Sequence, residues 1–192
     1  MSAIVDKAIL AAGLGDLAHA RRARDWDAVK RLGGALDHAP LLTLGALADR
    51  VRAEEIGDAV IIHVKRPDEA LGVPDAGALA SRGIDILKLV ARARILGVHA
   101  APVCVDWGAT GLELAQVALG FGASELTGPL SNRRGLPIAE DAQVKVKGVG
   151  MVAVQSLKRR ELETLLERAG RRAVFAREDQ AAPGGEGEFQ HA

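Results

Sequence analysis

Cysteine is nearly missing from this chain: Cys104 stands alone among 192 residues. No intramolecular disulfide can form, which suits a reducing compartment, and one thiolate cannot supply the several ligands of an iron–sulfur cluster. Aromatic residues are also scarce, with three Phe, two Trp and no Tyr. That disfavours a base-stacking surface and leaves the core to Leu, Val, Ile and Ala. Excess charge is absent too, because 25 Lys and Arg offset 25 Asp and Glu. Nothing in that balance draws the chain onto nucleic acid or an anionic membrane. The short run Arg21-Arg22-Ala23-Arg24 reads as a solvated helix face. No apolar stretch approaches the length of a membrane span, and the first residues lack a charged region followed by a long apolar one. The expectation is a cytoplasmic protein without nucleic-acid or membrane partners.

The usual catalytic signatures are missing as well. The sequence holds no CxxC, no HExxH and no two histidines one helical turn apart, so no metal site is expected. His99 and Cys104 lie an odd number of residues apart and would face opposite sides of a strand. Cys104, in an apolar segment, reads as a small core residue. There is no GxSxG elbow and no phosphate-loop lysine, and no cofactor is expected.

What is present is a repeated unit. Apolar residues make up 48% of the chain, enough for one domain with a true core. Residues 1–36 read as a helical prefix of short helices, with Asp16 and Asp25 as caps and Trp26 as a packing anchor. From 41 to 177 the pattern is helix, glycine, strand, four times over, at Gly57, Gly97, Gly122 and Gly170. The apolar strand following Gly57 covers 59–64, and those after the other glycines cover 101–105, 124–127 and 173–176. Alternation with short joints predicts an α/β fold: a reduced, mostly parallel sheet with flanking helices. Residues 143–154 read as a hairpin with Lys145 and Lys147 on its wet side, Ser156 as the cap of a last helix over 157–169, 129–141 as a loop, and 178–192 as a disordered tail.

In such a sheet, ligands bind at the strands' carboxyl ends. His63, Asp106 and Thr127 should share that edge. The turn Asp106-Trp107-Gly108-Ala109-Thr110-Gly111 leads from a strand into a helix over 111–121, whose free N–H groups suit an acceptor oxygen. Asp106 and Thr110 supply polar groups there, Trp107 a flat apolar face, and Gln116 an amide expected to face inward. Ligand contact is therefore expected at Asp106, Trp107, Thr110, Gln116 and His63. The plainer alternative has Asp106 capping the helix, Trp107 packing, and His63 bonded at the sheet margin.

These residues also carry a resemblance. The stretch GLELAQVALGFGASELTG over 111–128 resembles the late barrel segment "LAQVALHFGADDLDG" of the radical S-adenosylmethionine group that comprises aminofutalosine synthase, cyclic dehypoxanthine futalosine synthase and the deazaflavin (FO) synthase subunits. Trp107 and Gly111 match its start; Gln116, Phe121, Gly122, Ala123, Leu126 and Gly128 match its body; Glu125 stands where an aspartate is usual. Glu161 through Arg172 is similar to the group's closing "EELVRLIREAGRRPV", and Leu41 through Val64 to its first helix and strand. The resemblance implies a partly TIM-barrel-like sheet and a place near menaquinone or deazaflavin biosynthesis. It also implies a departure. The group's CxxxCxxC should follow the first strand, but Lys65-Arg66-Pro67-Asp68 follows here, and the middle strands are missing. A cluster-free, internally shortened relative results. Its expected role is a non-catalytic accessory or pseudoenzyme that binds a small molecule or a radical-enzyme partner. The alternatives are an enzyme with cofactor-free chemistry at Asp106, His63 and Thr110, and a self-assembling structural protein that dimerises over its open sheet edges.

Overall fold

The computed structural model describes residues 3–64, 71–72, 83–131, 143–146, 150–153 and 157–176. The chain opens with three short helices, α1 (Ala3–Ala11), α2 (Gly15–Ala23) and α3 (Trp26–Leu32). The Asp25 side chain accepts the Ala28 N–H at 3.0 Å and so fixes where α3 starts. Asp16 has no such role, because Leu14 is the N-cap of α2 and makes no side-chain bond. The Gly33-Gly34 break becomes a 3-10 turn, Gly33–Asp37. Pro40 then precedes α4 (Leu41–Glu55), which buries Leu44, Leu47, Ala48 and Val51 along one stripe.

The sheet strands follow: β1 (Ala59–His63), β2 (Leu71–Gly72), β3 (Val103–Asp106) and β4 (Glu125–Thr127), with β9 (Arg172–Phe175) last. Their order is β2-β3-β4-β1-β9, and every neighbouring pair is parallel. The helices between them are α5 (Gly83–Leu96), the single turn α6 (Trp107–Thr110), α7 (Leu112–Leu119) and α8 (Arg159–Arg168). Two small pairings stand apart. β5 (Leu130–Ser131) runs parallel to β8 (Leu157–Lys158), and β6 (Gln143–Val146) runs antiparallel to β7 (Gly150–Ala153) as the expected hairpin.

Several local expectations change. Gly57, Gly122 and Gly170 have positive φ, but Gly97 does not; the left-handed residue in that connection is Ala100, at φ 54°. The helix expected over 111–121 forms as α7, Leu112–Leu119, and the polar turn before it is itself the helical turn α6, with Gly111 between the two. The last helix is capped at Lys158 rather than Ser156, which lies outside the described residues together with Lys147 and the tail 178–192. Of the loop expected over 129–141, Leu130 and Ser131 form β5 and the residues from 132 lie outside as well.

The core lies on one face of the sheet. Val60 and Ile62 of β1, Val103 and Val105 of β3, and Leu126 of β4 join α4, α5, α7 and α8 in one buried cluster, with Ala173 and Phe175 of β9 packed against it. Side chains alternate along a strand, so Ile61, His63, Cys104, Asp106, Glu125 and Thr127 fall on the opposite face. None of the six belongs to the cluster. The fold is thus a small parallel sheet with its helices gathered on its apolar side.

Arginines lock the other end of the sheet. Arg94, 1% exposed, donates to the Gly122 carbonyl at 2.9 Å, the Ala101 carbonyl at 2.7 Å and Ser124 Oγ at 2.8 Å. Ser124 Oγ also accepts the Val103 N–H at 3.1 Å. One guanidinium therefore ties the start of β3 to the start of β4. Burial pushes it down to about 10, against the pull of Glu55. Arg21 is not on a solvated face as expected. It is 2% exposed, pairs with Glu55 at 2.8 Å and lies 4.5 Å from the Trp26 ring centroid. Desolvation lowers its pKa too, with Glu55 opposing.

Candidate functional site: the polar row at the strand ends

Three residues line up across the carboxyl ends of the strands. His63 of β1 is in register with Thr127 of β4, and Thr127 with Asp106 of β3. Two residues earlier on the same face lies a second row, Ile61, Glu125 and Cys104. The tie between the rows is a hydrogen bond from His63 Nε2 to Glu125 Oε2 at 2.8 Å. The two side chains are 17% and 9% exposed. An ionised Glu125 can only accept, so Nε2 then carries a proton and a neutral imidazole presents Nδ1 as its lone-pair nitrogen. Thr127, itself buried, donates from Oγ1 to the His63 carbonyl at 3.2 Å and clamps β1 beside β4 at this point.

Asp106 closes the row on the β3 side. Its Oδ1 accepts the Gly108 N–H at 2.7 Å and the Ala109 N–H at 3.4 Å, so one carboxylate oxygen caps α6. Thr110 is engaged locally: its hydroxyl donates to the Asp106 carbonyl at 2.8 Å. Both residues are half-buried.

The other two expected contacts are corrected. Trp107 is 0% exposed and belongs to the apolar cluster. It continues the alternation of core residues Val103 and Val105, and its ring lies against Gly128. It lines no open surface. Its buried Nε1 has no hydrogen-bond partner among the described residues. Gln116 is exposed on α7 and faces a cleft against α8 rather than the sheet, because Ala115, Ala118 and Leu119 take the inward positions of that helix.

Glu125 and Cys104 were missed as members of this face. The signal for Glu125 is the period of two: it stands two residues before Thr127 in the expected strand 124–127 and so shares its face. For Cys104 it was alternation: Val103 and Val105 are core residues, so the cysteine between them points away from the core. It is buried, as expected, but on the polar face. Among the described residues no three His, Cys, Asp or Glu side chains are grouped to hold a metal ion, and no helix is long and apolar enough to cross a membrane.

Comparison with known proteins finds no family model, no curated protein and no solved structure that matches this chain.

Proposed function

We propose that the chain is a cluster-free relative of the radical S-adenosylmethionine enzymes of menaquinone and deazaflavin biosynthesis, now a small-molecule-binding accessory protein. The sheet is read as the remnant of a barrel wall. Two features support that origin. Two of the segments that carry the resemblance supply adjacent parallel strands, β4 and β1, and the third leads into β9, which pairs with β1. The helices lie on the apolar face, as they lie outside a barrel. The order β2-β3-β4-β1-β9 differs from the sequential order of a barrel, and loss of strands alone would leave the rest in sequence, so the order lends this origin no support.

The observation that carries the binding reading is the bond between half-buried His63 and buried Glu125 at 2.8 Å, on the face that the apolar cluster does not use. A carboxylate and an imidazole held together on a sheet face contribute little to the fold by packing. They do present acceptors to a ligand that brings donors, namely hydroxyl, amino or amide N–H groups. Asp106, with one oxygen on the α6 cap, is the outer member of that acceptor set.

The test is a thermal-shift screen of polyols, amines and nucleosides on the wild type, His63→Ala and Glu125→Gln. A compound that raises the midpoint of the wild type and of neither variant supports the reading. Compounds that shift all three equally bind elsewhere and would defeat it. The same bond favours a second reading, acid–base catalysis without a cofactor, because Glu125 orients the imidazole that would take a proton. Turnover of a bound compound, lost in Glu125→Gln while binding persists, would select that reading.

A further inference from the structure

A cleft of about 650 Å³ lies between α7 and α8, with Gln116 on one wall and the length of α8 on the other. Its floor is apolar: Leu157 of β8 and Leu165 of α8, both half-buried. Its rim is cationic, with Lys158 and Arg160 at one end and Arg168 at the other, all exposed. Among the described residues none of the three forms an ion pair, whereas Arg22, Arg92 and Arg159 each reach a carboxylate. The single acid of the lining, Glu161, is turned to the helix start, where its Oε2 accepts the Lys158 N–H at 2.9 Å. Arg159 lies over the Phe175 ring, 4.0 Å from its centroid, and so faces the sheet rather than the cleft.

We propose that this cleft docks an acidic segment of a protein partner, with an apolar side chain set between its acidic ones. Charge and shape both point there. Positions 158, 161, 165 and 168 fall on one helical face, so cation, acid, leucine and cation follow one another from the N-cap along α8, the acid being turned back onto the Lys158 N–H. A ten-residue helix is about 15 Å long, the span of four or five extended residues. Laying an apolar anchor on Leu157 and Leu165 between two charged contacts is the arrangement of groove-bound peptides. The proposal is independent of the sheet-edge reading, since no residue is shared.

The experiment is fluorescence anisotropy with the full chain and a labelled peptide in which two leucines are flanked on each side by paired glutamates. Saturable binding is expected, weakened about tenfold or more by Arg160→Glu/Arg168→Glu and by high salt. A peptide with lysine in place of glutamate should prefer the charge-reversed variant. Circular dichroism confirms that the variant is folded; Arg160→Gln/Arg168→Gln serves in its place if it is not. Equal affinity of wild type and variant, or no saturation by about 1 mM, would overturn the proposal. Displacement of the peptide by citrate or inorganic phosphate at comparable concentration would overturn it in favour of a small-anion site.

Discussion

Replacing Gly128 by alanine should be the most damaging one-carbon change in the described structure. Gly128 follows β4 with φ +155°, a conformation that side-chain-bearing residues rarely adopt. A Cβ there would lie 2.3 Å from Cε2, 2.4 Å from Cδ2 and 2.7 Å from Nε1 of Trp107. Carbon atoms normally meet at about 3.5–4.0 Å, so the overlap exceeds an ångström. The ring cannot tip aside, because it is 0% exposed and enclosed by the core. Overpacking of this kind costs about 1–3 kcal/mol, and the backbone conformation adds about 1 kcal/mol. The expected loss is about 3 kcal/mol, or a midpoint lower by roughly 6–12 °C for a chain of this size. Gly57 is the control: its φ is +82°, yet a Cβ would meet nothing within 4 Å. Gly57→Ala should therefore cost only about 1 kcal/mol. Urea denaturation of both variants, with Trp107→Leu and Gly128→Ala/Trp107→Leu beside them, separates the terms. Removing the ring should make the alanine cheaper by more than about 1 kcal/mol relative to additivity. If Gly128→Ala costs no more than Gly57→Ala, or if the double variant is additive, the steric account is wrong.

Three other outcomes are expected. Arg94→Met should destabilise by about 3–5 kcal/mol in the same assay, because it strips partners from two buried carbonyls and a hydroxyl, and hydrogen exchange should rise first at the starts of β3 and β4. Asp106→Ala should cost about 1 kcal/mol through loss of the α6 cap, and Asp106→Asn much less, since an amide oxygen can still accept the Gly108 N–H; equal losses would show that charge, not the cap, matters. Anaerobic reconstitution with iron and sulfide should leave no stoichiometric iron on a chain with one cysteine; about four irons per chain would refute the cluster-free reading.

The parallel sheet was readable because each of its main strands is announced by a helix stripe and a break, as at Leu44, Leu47, Val51 and Gly57 before β1. The row His63, Thr127, Asp106 followed from the rule that parallel strands end on one edge. The neighbours were not readable: β1 lies between β4 and β9, and pairing partners far apart in sequence leave no local trace. The side of each site residue also escaped. Trp107 reads as amphipathic by type, but it shares the side of Val103 and Val105 and packs with them in the core. Arg21 looked solvated within its basic run, and its burial depends on Glu55, which lies a helix away. Gln116 was placed by which face of α7 its alanines claim.

The strand order also bears on how the chain is made. β1 gains one neighbour only when residue 125 exists and the other only when residue 172 does, a separation of about 110 residues for the second. On a ribosome adding about 5–20 residues per second, β1 spends several seconds with both edges open after it emerges. Its sequence, Ala-Val-Ile-Ile-His, is a sticky one to leave unpaired. The helical prefix and α4 are complete before it, so they are the first surface against which Val60 and Ile62 can fold. Slow synthesis or a missing C-terminal strand should therefore send this chain into aggregates, with β1 as the segment that seeds them.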